Sequence, residues 1–80
     1  MKTIIRDIRE ELKMTIEQFG SLTGVSISTV YNLESGSLQT INANVLQALD
    51  RLGYDIEFVK KQYQEDRQAK AKELFKKIAN

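Results

Sequence analysis

Residues able to carry out catalysis are scarce in this chain of 80 amino acids. It has no cysteine and no histidine, so thiolate chemistry, disulfides and the usual zinc ligands are excluded. The carboxylate pairs Glu10–Glu11 and Asp55–Glu57 suit acid–base catalysis poorly, because neighbours on a helix point apart and the second pair shares the polar face of a predicted exposed strand. We therefore expect a protein that is not an enzyme and that uses no metal and no cofactor.

The segment Met14–Gly36 has the pattern of two short helices joined by a tight turn. Thr15 and Gln18 can form a capping box at the start of the first helix, Ser26 can cap the second, and Gly36 is placed just past the C-terminus of the second. Gly24 falls where the turn requires a positive φ. Gly20 leaves room for close approach, and four apolar side chains face inward: Phe19, Val25, Val30 and Leu33. Proteins use this arrangement to place a helix in the major groove of DNA.

This segment resembles the helix-turn-helix of the Cro/CI-type (XRE) regulators, whose usual form is close to L-T-Q-E-E-L-A-x-x-x-G-V-S-x-x-T-I-S-x-I-E-x-G. The likeness extends over Ile5 to Leu52, with the small residue, the turn glycine and the apolar positions in register. It departs from the family at Ile16, where a glutamine that contacts the DNA backbone is usual, and at Ile27, where a polar or basic residue is commoner.

The resemblance implies roles for particular side chains. Those expected to face the DNA bases are Ser26, Ile27, Ser28, Tyr31 and Asn32. Asparagine can hydrogen-bond to adenine, serine can hydrogen-bond to either base edge, and isoleucine can pack against the methyl group of thymine. These preferences favour an A·T-rich half-site. Those expected to contact phosphates are Thr15, Ile16, Ser35 and Ser37, with Tyr31 as an alternative. The other interpretation is that these side chains are simply the solvated side of the helices. An ion pair between Arg9 and Glu34 is also implied.

The flanking residues predict three further elements. Apolar spacing predicts a first helix over Lys2–Leu12 and a fourth that ends at Gly53. Over Tyr54–Val59 the apolar side chains alternate with acidic ones, which predicts a short β-strand. Since nothing else in the sequence can pair with a lone strand, we expect it to pair with a second copy of the chain. The predicted dimerisation residues are Tyr54, Ile56 and Phe58.

The end of the chain predicts an amphipathic helix from about Gln62 to Asn80. Its apolar stripe is expected to dock on the other subunit or on a partner protein, through Ala71, Leu74, Phe75 and Ile78. The predicted fold class is thus mainly α: a lambda-repressor-like helical DNA-binding domain over residues 1–53, and a short C-terminal β-strand plus amphipathic helix over residues 54–80 for dimerisation or partner docking.

Charge is unevenly distributed, although the net charge is only +1. Through Gly36 four basic residues face five acidic ones, whereas from Lys60 onward seven basic residues face three acidic ones. Since phosphate neutralisation supplies most non-specific affinity, we expect weak DNA binding by a monomer and a requirement for a dimer or for the basic tail. The alternative is that the tail lysines form a solvated helix face. The charged N-terminal segment and the lack of a long apolar window favour a cytoplasmic protein without a membrane span.

Two classes of function remain open. The first is a small dimeric autorepressor on an inverted-repeat operator in double-stranded DNA. The segment N-V-L-Q-A-L-D-R-L-G-Y-D-I-E-F-V resembles antitoxins of the HipB type, which repress their own operon and bind a kinase-like toxin; a free-standing phage or plasmid repressor is the competing interpretation. The second class is a protein-interaction adapter on the same scaffold, favoured by the acidic N-terminal half, Ile16 and the amphipathic tail.

Overall fold

The computed structural model describes residues 2–79, with side chains described for residues 2–76. This part of the chain folds into five helices: α1 (Ile4–Glu11), α2 (Ile16–Thr23), α3 (Ile27–Ser35), α4 (Ala43–Arg51) and α5 (Ile56–Ala79). The predicted mainly helical class is confirmed. None of these helices combines the length and hydrophobicity needed to span a bilayer.

The predicted β-strand at Tyr54–Val59 is wrong, because this segment leads into α5 and residues 2–79 contain no strand. Asp55 Oδ1 accepts a hydrogen bond from the backbone N–H of Phe58 at 3.3 Å, which stabilises the first turn of the helix. Val59 and Tyr63 are then both fully buried, and their separation of four residues is helical. The expected pairing of two such strands across a dimer is therefore also wrong.

The hydrophobic core draws on all five helices. Its buried members are Ile5, Ile8, Phe19, Val30, Leu33, Ile41, Val45, Leu49, Val59 and Tyr63. The three predicted core residues of the helix-turn-helix with no exposed surface, Phe19, Val30 and Leu33, are confirmed, and Val25 is half-buried against them. Tyr63 is the largest fully buried side chain, and its hydroxyl donates to the carbonyl of Leu38 at 2.7 Å. The core thus extends past Gly53 into the first half of α5.

The middle of α5 bridges the start of α1 and the end of α3. Asp66 Oδ2 accepts from the backbone N–H of Ile4 at 2.7 Å. Arg67 Nε donates to the Gly36 carbonyl at 3.0 Å, and Lys70 Nζ donates to the Ser35 carbonyl at 2.8 Å. A carboxylate therefore lies at a helix N-terminus and two cations at a helix C-terminus, and both arrangements are favourable with respect to the helix dipoles.

Candidate nucleic-acid interface

The turn between α2 and α3 has the predicted local structure. Thr15 Oγ1 accepts from the backbone N–H of Gln18 at 3.1 Å, and Gln18 Oε1 accepts from the backbone N–H of Thr15 at 2.9 Å, which completes the capping box. Gly24 ends α2 at φ +74°. A Cβ on Gly20 would lie 2.9 Å from the carbonyl oxygen of Val25, so only glycine fits there without a shift. These contacts fix the angle between the two helices.

Both ends of α3 are held in place. At its start, Ser26 Oγ accepts from the backbone N–H of Thr29 at 3.1 Å. At its end, Gly36 adopts φ +78° as the predicted C-terminal cap. Thr3 Oγ1 donates to the Leu33 carbonyl at 2.8 Å, and Thr3 is itself buried. The helix is therefore positioned by α1 as well as by α2.

The predicted ion pair between Arg9 and Glu34 is confirmed. The guanidinium forms a bidentate contact through Nε with Oε2 and through Nη2 with Oε1, the latter at 3.0 Å. Its Nη1 also donates to the carbonyl of Met14 at 3.0 Å. The two side chains are only 15% and 10% exposed. The hydrogen bond to Glu34 raises the pKa of Arg9, and the bidentate contact fastens α1 to the inner side of α3.

All five predicted base-reading residues are solvent-exposed and lie around the first two turns of α3. They are Ser26, Ile27, Ser28, Tyr31 and Asn32. Ser26 differs from the others because its oxygen is already used as the helix cap. Ile27 and Tyr31 are 45% and 58% exposed, which is high for side chains of this size. The structure therefore presents apolar as well as polar groups on this side of α3.

Two hollows flank Tyr31 on this surface. One is lined by Arg9, Thr15, Ile16, Glu17, Ile27 and Tyr31, and the other by Arg6, Arg9, Ile16, Tyr31, Glu34 and Ser35. Within the described part of the chain, Arg6 makes only an exposed ion pair with Glu10, at 3.6 Å, so its guanidinium is accessible to an anion. Arg6 was not among the residues expected from the sequence. Its spacing of three residues from Arg9, on the same side of α1, is the sequence signal that could have identified it.

The four predicted phosphate-contacting residues lie at the two ends of this surface. Thr15 is exposed at the start of α2, and because its oxygen accepts the capping bond, its hydroxyl hydrogen is free to donate. Ile16 has no polar side-chain atom, so it can contact phosphate only through its backbone N–H. At the other end, Ser35 Oγ donates to the Asn32 carbonyl and lies 2.8 Å from Ser37 Oγ.

Of the three predicted dimerisation residues, Tyr54 and Phe58 line one hollow between α1 and the start of α5, whereas Ile56 does not. The Tyr54 hydroxyl donates to Glu11 Oε1 at 2.6 Å, and desolvation together with this bond raises the pKa of Tyr54 to about 12. Ile56 is half-buried against the core, whereas Phe58 is exposed. Helical periodicity points Ile56 and Phe58 in different directions, which an extended strand would not do.

The predicted docking residues of the tail are exposed as far as the side chains are described. Ala71 is exposed, and Leu74 and Phe75 are 52% and 72% exposed. Ile78 lies outside the residues with described side chains. Leu74 follows Lys70 by one turn, so this apolar pair lies just beyond the contact between α5 and the end of α3.

The family model Helix-turn-helix (HTH_3) matches residues 5–57, which is more than half of the chain. The chain therefore belongs to this helix-turn-helix family, and the predicted XRE-type resemblance is confirmed at this level. The family assigns it to the DNA-binding transcription regulators. No curated protein and no solved structure matches the chain significantly. Among the described residues no cluster of acidic side chains could hold a metal ion.

Proposed function

We propose that this protein is a sequence-specific transcriptional repressor that binds an inverted-repeat operator as a homodimer. The observation that supports this most directly is the two-sided environment of α3. Val30 and Leu33 are fully buried while Tyr31 and Asn32 between them are exposed, and both ends of the helix are capped. A helix fixed in this way can hold polar and apolar groups against the base edges of the major groove.

Charge supports the dimer. Arg9 is neutralised by Glu34, and Glu17 near the start of α2 is exposed and acidic, so the surface around α3 has few cations for phosphates. Two copies double the number of phosphate contacts and the number of bases read. Two recognition helices separated by one duplex turn, about 34 Å, would read two half-sites on one face of the DNA. We include autoregulation in the proposal solely because the sequence resembles the Cro/CI-type regulators.

Selection from a random duplex library tests the proposal. The enriched sequences should contain an inverted repeat with half-site centres about 10 bp apart, and binding to them should weaken steeply as salt rises. Sedimentation of the protein with the enriched duplex should give two chains per site. Failure to enrich any sequence, or enrichment of an isolated half-site bound by one chain, would overturn the repressor proposal in this form.

A second candidate, an antitoxin or another protein that also binds a protein partner, is favoured by the exposed Leu74 and Phe75. The strand that formed part of the likeness to HipB-type antitoxins is absent from residues 2–79. The candidate therefore depends on the tail. Co-purification with the product of the adjacent gene, using the native chain and a Leu74→Glu, Phe75→Glu variant, tests it. Capture of that product by the native chain alone supports an antitoxin. Equal capture by the native chain and the variant would show that Leu74 and Phe75 do not bind it.

A further inference from the structure

The hollow between α1 and the start of α5 has mostly apolar walls. Ile4 and Ile8 form one side of it, and Tyr54, Phe58 and Val59 form the other. Phe58 is 56% exposed at this hollow, although its side chain is large and apolar. The volume of the hollow is about 220 Å³, and a cavity of about 150 Å³ can already hold a benzene ring. It is therefore large enough to accept an aromatic side chain.

Acidic side chains also line this hollow, namely Asp7 and Glu11 from α1 and Asp55 just before α5. Asp7 forms an exposed ion pair with Lys2 at 3.0 Å. In the described part of the chain, Glu11 and Asp55 accept hydrogen bonds from neutral donors and form no ion pair. The hollow thus combines apolar walls with negative charge that is not neutralised. Such a site suits an apolar group that lies beside cations.

The end of α5 has the complementary composition. Leu74 and Phe75 are 52% and 72% exposed, and they are flanked by the exposed side chains of Lys72 and Lys76. Neither lysine forms an ion pair with a described residue. This segment cannot reach the hollow of its own chain, because α5 is continuous and Phe58 and Phe75 are about 26 Å apart along it. A second copy can supply the segment, and two copies can exchange their segments reciprocally.

We propose that the end of α5 from one copy docks in this hollow of a second copy, with Leu74 and Phe75 against its apolar walls and the flanking lysines beside its carboxylates. The inference rests on the proposed homodimer and names the surfaces that join the two chains. The family match ends at residue 57, so Phe58 and the end of α5 lie beyond it and the contact is particular to this chain. Arg6 and Arg9 lie on a different side of α1, so the recognition surface stays open in such a dimer.

Sedimentation equilibrium of the chain without DNA tests this contact with two variants. Phe58→Glu alters the hollow, and Leu74→Glu, Phe75→Glu alters the tail; all three side chains are more than half exposed, so circular dichroism should show the native fold. We expect the native chain to dimerise and each variant to raise the Kd of the dimer about a hundredfold, tenfold for each of two contacts that no longer bury an apolar group. Leu22→Glu is the control and should dimerise like the native chain, since Leu22 is 40% exposed but lies in α2, outside this hollow. A native chain that stays monomeric at high micromolar concentration, or dimerisation that survives both substitutions, overturns the inference.

Mixing the two variants shows whether the hollow and the tail contact each other. The tail variant has an intact hollow and the hollow variant has an intact tail, so a mixed pair retains one of the two contacts. Amide NMR spectra of the isotope-labelled tail variant should show saturable shifts around Asp7 and Tyr54 when the unlabelled hollow variant is added, and none when the unlabelled tail variant is added. No shifts in the mixed sample, or equal shifts in both samples, would overturn the inference. An enriched duplex bound by two chains would then still support the repressor proposal, whereas a library that yields no enriched sequence would overturn that proposal and leave this contact in place.

Discussion

Asp66 accepts a hydrogen bond from the backbone N–H of Ile4 across 62 residues of sequence, at 2.7 Å. The first N–H groups of a helix have no partner within the helix, and the positive end of its dipole attracts a carboxylate. Asp66 therefore acts as an N-terminal cap for α1 from a different helix. Gln62 Nε2 donates to its other oxygen at 3.0 Å, which holds the carboxylate in position.

We expect Asp66→Ala to lower the free energy of unfolding by about 1–2 kcal/mol, because it removes this cap and a favourable charge at the helix terminus. Urea unfolding followed by circular dichroism measures the change. Glu65→Ala is the matched control: Glu65 is the exposed neighbouring acid in α5, and its loss should change stability by less than about 0.5 kcal/mol. Equal effects of the two substitutions would show that the contact with Ile4 has no energetic importance.

The signals that the sequence carries reliably are those within a single turn of helix. The capping box of Thr15 and Gln18, the cap at Ser26 and the positive φ of Gly24 and Gly36 each depend on residues no more than four apart. Local backbone geometry determines all of them, so residue type and spacing were sufficient to predict them. The ion pair of Arg9 and Glu34 was predictable for a different reason, namely the family resemblance.

The features that sequence analysis missed depend on tertiary contacts. Over the few residues of Tyr54–Val59, alternation fits a strand and the i, i+3 spacing fits a helix, and the burial of Tyr63 decides between them. The contacts of Arg67 and Lys70 with the end of α3 span 31 and 35 residues. The sequence shows these two as part of a basic run, and only the fold reveals that both hydrogen-bond to backbone carbonyls.

Truncation separates the structural part of α5 from its exposed end. The sequence predicts that a chain ending at Lys61 still folds, but such a chain lacks the fully buried Tyr63 and the contacts of Asp66 and Lys70. Loss of one large core side chain costs about 3–5 kcal/mol, a large share of the stability of a domain this small. We expect the chain that ends at Lys61 to be unfolded by circular dichroism at 25 °C. A chain ending at Ala71 should melt within a few degrees of the native chain. A cooperative melt of the shorter chain would contradict the role of Tyr63.

Arg9 and Glu34 should be strongly coupled in their contributions to the free energy of unfolding. Removal of one partner of a largely buried pair leaves an uncompensated charge and typically costs about 3–5 kcal/mol. We therefore expect Arg9→Met and Glu34→Leu each to destabilise the protein strongly, and the double variant to cost clearly less than their sum. A double-mutant cycle by urea unfolding measures the coupling. Simple additivity would show that the two charges act independently in solution.

The hydrogen bond from Tyr54 to Glu11 should make stability depend on alkaline pH. The pKa of Tyr54 is raised from 10.0 to about 12, so the folded state holds this proton more tightly than the unfolded state does. Its contribution is fully present below pH 10 and is lost as the pH rises toward 12. Tyr63, whose pKa is also raised by burial, is retained in a Tyr54→Phe variant and contributes equally to both proteins. The native chain should therefore lose stability more steeply than Tyr54→Phe between pH 10 and pH 12 in parallel urea titrations. Parallel curves would show that the hydroxyl makes no such contact in solution.

Asn32 and Arg6 should separate base reading from phosphate contact. Asn32 is exposed on α3 between the buried Val30 and Leu33, where its side-chain amide can form two hydrogen bonds with the edge of an adenine. Asn32→Ala should weaken binding to the selected site by about 1–3 kcal/mol and relax the preference at one base pair, while binding to random duplex stays unchanged.

Arg6, beside Ser35 in the second hollow, has a charge available for a phosphate. Arg6→Ala should weaken binding to both duplexes alike and reduce the slope of log Kd against log salt by about one unit. Fluorescence anisotropy at several salt concentrations measures both quantities, and a loss shared equally between the two duplexes in Asn32→Ala would remove this residue from base recognition.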